Sequence, residues 1–247
     1  METYTADTLS DPPLTLFQPR SGYRFSLDSL ILAAHILPAP GSHLVDVGCG
    51  CGIISLILAA RHPDLRVTGV EIQKTLAGLA RKNSVYNRLA GRVRILHQDA
   101  RTLAPADVDA PVDIVVSNPP YGKKGGGRTG PDPGRALARH EIFLDIATLA
   151  HLAHRLSAPR GRLFLIFPAG RATDLDAALA AAGFQAVLTR SVHFMPRDLP
   201  RRVLVCAAAT GRNSAVCPPL FLYHGDGTPT PDHAALLHGG FLGSCMV

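Results

Sequence analysis

At 247 residues, 47% of them hydrophobic and 18% charged, the chain suits one large α/β domain, or one domain with a small addition, and is excluded as a disordered polyelectrolyte. Lys and Arg exceed Asp and Glu by 25 to 19, and this net +6, mostly arginine, favours an anionic partner without naming one. No apolar run reaches the roughly 18 residues of a membrane span, Met1–Pro13 lacks the basic start and apolar stretch of a secretory signal, and five cysteines without C-x-x-C spacing suggest neither a disulfide framework nor a zinc site, so a reduced, cytoplasmic, metal-free chain is expected.

In chain order, Ser26–Leu37 is an apolar, helix-prone lead-in with Ser26 and Asp28 as capping oxygens. From His43 onward, β-rich runs alternate with helical patterns. The runs His43–Val47, Arg66–Glu71, Val93–His97, Val112–Ser117, Gly161–Phe167, Phe184–His193 and Arg202–Ala208 predict seven strands. Helices are expected over Ile53–Arg61, Thr75–Leu89, Glu141–Leu156 and Ala172–Ala182. Such alternation implies an α/β fold, a mostly parallel sheet with helices on both faces. The last two strands follow one another without a helix, which makes one of them antiparallel. Residues 1–40 read as a lead-in, 41–210 as the core and 211–247 as a Gly-, Pro- and His-rich appendage.

The segment Asp46-Val47-Gly48-Cys49-Gly50-Cys51-Gly52 joins the first core strand to the first core helix. Alternate glycines let the backbone turn sharply and leave room for a ligand. The spacing is G-x-G-x-G, which disfavours the G-x-G-x-x-G of dinucleotide binding. Glu71 ends the next strand, followed by Ile72, and a carboxylate there can accept from both hydroxyls of a ribose. Asp99-Ala100 follows the third, where a short acid can accept from an adenine amine. In this order the three elements resemble the class I methyltransferases that use S-adenosylmethionine, with their Rossmann-like, seven-stranded, mostly parallel sheet and one antiparallel strand. The resemblance assigns Asp46, Gly48, Gly50 and Gly52 to the methionine moiety, Glu71 and Ile72 to the ribose side, and Asp99 and Ala100 to the adenine.

After the fourth strand comes Asn118-Pro119-Pro120-Tyr121. An amine on a planar ring is a poor nucleophile because its lone pair is delocalised. The Asn118 oxygen and the Pro119 carbonyl can accept the two amine hydrogens and turn that lone pair outward. Pro120 stiffens the turn, and Tyr121 offers a face for stacking. The segment is similar to the signature of methyltransferases acting on adenine N6, guanine N2 or glutamine amides.

The lead-in Phe17–Ser29, with Gly22 between aromatics and Asp28 after the capping serine, extends the likeness. The pattern resembles the family of bacterial adenine-N6 methyltransferases that modify valine tRNA beside the anticodon. That resemblance makes Gly22 and Asp28 part of a wall closing over the cofactor. The loop Gly122–Arg139 carries Lys123, Lys124, Arg128, Arg135 and Arg139 against Asp132, and beside the chemistry it fits RNA phosphates. Arg197, Arg201, Arg202 and Arg212 form a second cationic stretch. The alternatives are a glutamine methyltransferase of release-factor type, a guanine-N2 methyltransferase of ribosomal RNA, and a non-catalytic RNA-binding scaffold. His151 and His154 have no visible third ligand and read as a surface pair.

Overall fold

The computed structural model describes residues 4–109, 111–119, 144–211 and 214–240. Pro120, Tyr121 and the five basic residues Lys123, Lys124, Arg128, Arg135 and Arg139 lie outside them, as does Arg212.

The chain opens with a hairpin, β1 (Tyr4–Ser10) and β2 (Pro13–Pro19), paired antiparallel from Tyr4↔Pro19 to Ser10↔Pro13. The sequence reading placed no strand here. Helix α1 (Leu27–Ala33) follows; Ser26 stands at its N-cap, but its side chain makes no capping hydrogen bond. The core then runs β3 (His43–Val47), α2 (Ile53–Arg61), β4 (Arg66–Glu71), α3 (Lys74–Tyr86), β5 (Val93–His97) and β6 (Val112–Ser117). It continues through α4 (Ile146–Leu156), β7 (Ser157–Pro168), α5 (Ala172–Ala181), β8 (Gln185–His193) and β9 (Arg202–Ala208). Helix α3 stops three residues short of the expected Leu89, because Arg88 takes a positive φ of 60° that turns the chain.

The central order is β5-β4-β3-β6-β7-β9-β8. Strands β3, β4, β5, β6 and β7 are mutually parallel, while β9 runs antiparallel between β7 and β8. This is the Rossmann-like arrangement expected. Two short strands, β10 (Ala215–Val216) and β11 (Leu220–Phe221), lengthen the sheet by pairing parallel with β8, and α6 (Pro231–Leu237) packs behind β11.

Side-chain alternation sorts the core into two layers. Leu44, Ile114, Val116, Phe164, Ile166, Leu204 and Cys206 face the α1–α2 side, with Leu32, Leu56 and Ala80. Val45, Val115, Leu163, Leu165, Phe167, Val205 and Ala207 face the other side, with Leu149, Leu156 and Leu175. By that period Asp46 points toward α2, where Ser55 receives it.

Among the described residues no helix is long and apolar enough to cross a membrane, and no His, Cys, Asp and Glu group could hold a metal. His154 packs edge-on against Phe184, centroids 5.6 Å apart. One expectation fails: Cys217 is disulfide-bonded, whereas Cys49, Cys51 and Cys206 are free and buried. Disulfide pairing depends on Cα separation in space, which cysteine spacing in the sequence does not report.

Candidate active site

Because β3, β4, β5 and β6 are parallel, the loops after them share the carboxyl edge of the sheet, where open α/β folds bind ligands. The glycine loop is stitched to the end of β4. Gly48 N and Cys49 N both donate to Val70 O, at 2.8 and 3.1 Å, and Gly50 N donates to Glu71 Oε2 at 2.9 Å. Gly50 has φ +59°, and a Cβ there would stand 2.8 Å from Tyr23 Cε1, so only glycine fits between the loop and that ring. A Cβ at Gly48 or Gly22 would meet open space, although both residues hold positive φ.

Asp46 is 1% exposed; its Oδ2 accepts from Ser55 N at 3.2 Å and Ser55 Oγ at 2.7 Å, and its Oδ1 has no hydrogen-bond partner among the described residues. Burial, only partly offset by Ser55, pushes this carboxyl up to about 7. Glu71 is also buried and raised by burial, with Gln73 N donating to its Oε1 at 2.8 Å. Each carboxylate oxygen has a second lone pair beyond the one the loop uses. Burial likewise pushes the Cys51 thiol up to about 12 and Cys49 well above its ordinary value, so neither serves as a thiolate.

Asp99 is less enclosed, and Arg101 covers it: Arg101 N and Nε donate to Oδ1 at 2.9 and 3.0 Å, and Nη2 to Oδ2 at 2.5 Å. These bonds hold its carboxyl below the ordinary value. Its neighbour Ala100 opens a turn of 3-10 helix, and Ile72, half-buried beyond Glu71, is near His97, whose Nε2 lies 3.1 Å from Ile72 O.

Asn118 and Pro119 follow β6, next to the glycine loop. Ser117 Oγ donates to Val47 O at 2.7 Å, which clamps the residue before Asn118 to the residue before Gly48. Asn118 Nδ2 donates to Ser29 Oγ at 2.9 Å, and Ser29 is 1% exposed. Pro119 is buried. Tyr23 completes this side. Although 44% of its surface is exposed, its ring lies against Gly50 of the glycine loop. Burial, with Cys51, Asp46 and Glu71 nearby, raises that phenol strongly.

The structure thus brings together Asp46, Gly48, Gly50, Gly52, Glu71 and Asn118. Asp28 is turned to Arg202, Nε to Oδ2 at 2.8 Å, and Asp99 to Arg101. That bond also takes one arginine out of the second cationic stretch. The sequence reading gave no role to the side chains of Tyr23 and Ser29, and missed Asn83 and Asn87. Asn83, fully buried on α3, donates to Phe17 O at 3.0 Å and Cys51 O at 2.9 Å and accepts from Phe17 N at 2.8 Å. Asn87 meets Thr15 N and O in the same way. Two amides four residues apart read alternate residues of β2 and fasten the hairpin to the glycine loop. The signal was there: a fully buried polar residue on the face of Leu76, Ala77 and Ala80 needs partners.

Residues 21–130 match the model of the Methyltransferase small domain family. The tRNA1(Val) (adenine(37)-N6)-methyltransferase of Porphyromonas gingivalis is 34% identical over 206 residues, 80% of this chain and 79% of the relative. The chain belongs to that family of methyltransferases. Its counterpart from Aeromonas hydrophila is 34% identical over 70% of this chain and 73% of its own length. A predicted O-methyltransferase from Agrobacterium tumefaciens superposes with a TM-score of 0.69 over 87% of this chain and 98% of its own, at 22% identity, a likeness of fold. TrmN from Thermus thermophilus gives 0.50 over 73% of this chain and 47% of its own, at 26% identity. None of these favours the glutamine, guanine or scaffold alternatives.

Proposed function

We propose that this chain transfers a methyl group from S-adenosylmethionine to N6 of an adenine in tRNA, adenine 37 beside the anticodon of valine tRNA, in the cytoplasm. The observation that supports the reading is the Ser117–Val47 hydrogen bond, which holds the residue before Asn118 against the residue before Gly48. The residues fit the cofactor: an unpartnered oxygen on buried Asp46, open space at Gly48, and spare lone pairs on Glu71. Asp46 and the glycine loop would hold its methionine part, Glu71 and Ile72 its ribose, and Asp99 and Ala100 its adenine, with Gly22 and Asp28 in the segment 1–40 that closes the wall. Bound there, the cofactor supplies a methyl group on a positively charged sulfur.

Every other requirement falls on the chain. Asn118 Oδ1 and the Pro119 carbonyl accept the two hydrogens of the target amine and aim its lone pair. Pro120 holds the turn rigid, and Tyr121 stacks on the extruded base. Methylation makes the nitrogen acidic, so water can remove the proton and no strong general base is needed. Alignment and acceptors placed where positive charge grows carry the rate. Lys123, Lys124, Arg128, Arg135 and Arg139 would supply the positive charge that binds the RNA's phosphates.

The test uses purified protein, S-adenosylmethionine and an unmodified valine tRNA transcript, with nucleosides read by mass spectrometry. N6-methyladenosine should form at position 37, and Asn118→Ala should lower turnover at least ~1000-fold while cofactor affinity stays within about twofold. Methylation of a guanine or a glutamine peptide instead, or unchanged turnover in the variant, would overturn the reading.

A further inference from the structure

We propose that the loop between β8 and β9, backed by the tail, is a second RNA contact. In it Phe194 is a platform for an unpaired base near the target, and Arg197 and Arg201 hold the phosphates beside that base. This deepens the function proposed above and rests on its reading of the substrate as tRNA.

Strand directions put the loop on the edge that bears the site. Because β9 runs antiparallel to both β7 and β8, β8 points the same way as β6, and its end at His193 lies on the carboxyl edge. The register runs Ser117↔Leu165, Leu165↔Val205 and Val205↔Thr189, so Phe194 stands beyond the row that leads into Asn118. Strand β8 is three places from β6, about 14 Å at ~4.8 Å a place. That is too far to touch the target base and near enough for nucleotides flanking it. The two regions are also joined: Arg202, at the start of β9, pairs with Asp28, and Ser29 beside it meets Asn118.

The loop is built to hold its shape. Asp198 N donates to Met195 O at 3.1 Å, Met195 N to Asp198 Oδ2 at 3.2 Å and Arg201 N to Val192 O at 2.8 Å. On this frame Phe194 is 44% exposed, with Tyr223 stacked on it, centroids 5.2 Å apart and planes at 22°. The tail brings Tyr223 there, since Leu222 N and Tyr223 N donate to His193 O and Phe194 O at 3.1 and 2.8 Å. A ring supported in this way loses little freedom when a base lands on it.

Charge selects the occupant. The Arg201 guanidinium lies 5.6 Å from the Phe194 centroid, and Arg197 is exposed on the same loop. Neither has a carboxylate partner among the described residues. Asp198 and Asp226, the acids of the two loops, accept instead from their own turns, Asp198 from Met195 N and Asp226 from Thr228 N at 2.9 Å and Oγ1 at 2.6 Å. Unpaired arginines around an exposed aromatic ring suit a polyanion with flat faces, and unpaired RNA offers both. A base within a stem has its faces covered, so the nucleotides concerned are those of the anticodon loop.

The experiment measures binding of the chain to an unmodified valine tRNA transcript and to its isolated anticodon stem-loop, by fluorescence anisotropy across a salt series. Cofactor affinity and melting temperature are the controls. Phe194→Leu keeps apolar bulk without a π-face and should weaken both RNAs about tenfold, while Phe194→Tyr should stay within about twofold of wild type. Arg197→Gln combined with Arg201→Gln should weaken both RNAs and flatten the slope of log K against log salt by about 1.4, about 0.7 for each phosphate contact. Cofactor affinity should not change in any of them, nor melting temperature in the arginine variant. Unchanged RNA affinity throughout would overturn the proposal and leave the surface to a protein partner. A loss in Phe194→Tyr as large as in Phe194→Leu, or a loss seen with whole tRNA but not with the stem-loop, would overturn it too. If wild type forms no N6-methyladenosine in tRNA, the functional reading fails by itself. The comparison of wild type with Phe194→Leu on a single-stranded RNA oligomer then still decides whether the ring stacks bases.

Discussion

The ends of β4 and β5 carry the same residue chemistry in different surroundings. Glu71 is 4% exposed, and its two oxygens are bound by backbone N–H groups of Gly50 and Gln73. Asp99 lies near the surface, and its partner is an exposed arginine two residues on. The first acid is part of the loop that shapes the pocket, since without it two enclosed N–H groups lose their acceptor. The second is held by one backbone N–H, that of Arg101, and by that residue's flexible side chain, which can be displaced. A strand-end acid can therefore be either a structural member of a site or a movable one, and burial decides which.

The comparison can be broken most sharply at Glu71. Glu71→Ala strands two backbone donors, each costing about 1–3 kcal/mol, and should weaken S-adenosylmethionine at least ~100-fold by calorimetry. A loss under tenfold would place the carboxylate outside the binding surface.

The pH dependence sharpens the contrast next. Burial raises Asp46, beside Glu71, to about 7, so between roughly pH 4 and 7 the folded chain keeps a proton that the unfolded chain has released. Its contribution to stability accordingly falls as pH rises through that window and a little beyond, by about 1.4 kcal/mol between pH 6 and 8. Asp99, held low by Arg101, behaves oppositely: its contribution is present above about pH 4 and is lost as pH falls through its lowered value. Urea midpoints from pH 3 to 8 should show the upper limb flattened in Asp46→Asn and the lower limb flattened in Asp99→Asn. Profiles that coincide with wild type would contradict the assigned burial.

Smaller effects belong to β5. Asp99→Ala should weaken the cofactor about fivefold, and Arg101→Ala, which uncovers the carboxylate, should leave affinity unchanged or tighten it about twofold (~0.4 kcal/mol). Equal losses in both variants would make the ion pair itself, rather than the acid, the binding element.

The central sheet was legible because each strand and helix is a local pattern. Alternation on β3, β6 and β7 assigns faces residue by residue, and the glycine loop and Asn118-Pro119 are contiguous motifs at strand ends. The β1–β2 hairpin was not legible, since what fixes it is a pair of asparagines on and just after α3, more than sixty residues away. Asp28, which the resemblance places in the wall over the cofactor, also carries an ion pair to an arginine 174 residues later, a partner no local pattern announces.

Sequence alone determined the order of elements, the carboxyl edge that bears the site, and the kinds of side chain delivered there, because backbone propensity and side-chain period act over a few residues. Tertiary structure decided which acids are buried, which are taken by arginine, and which hydroxyl meets the Asn118 amide. Those outcomes depend on desolvation and on hydrogen-bond partners drawn from distant parts of the chain, and no local pattern encodes either.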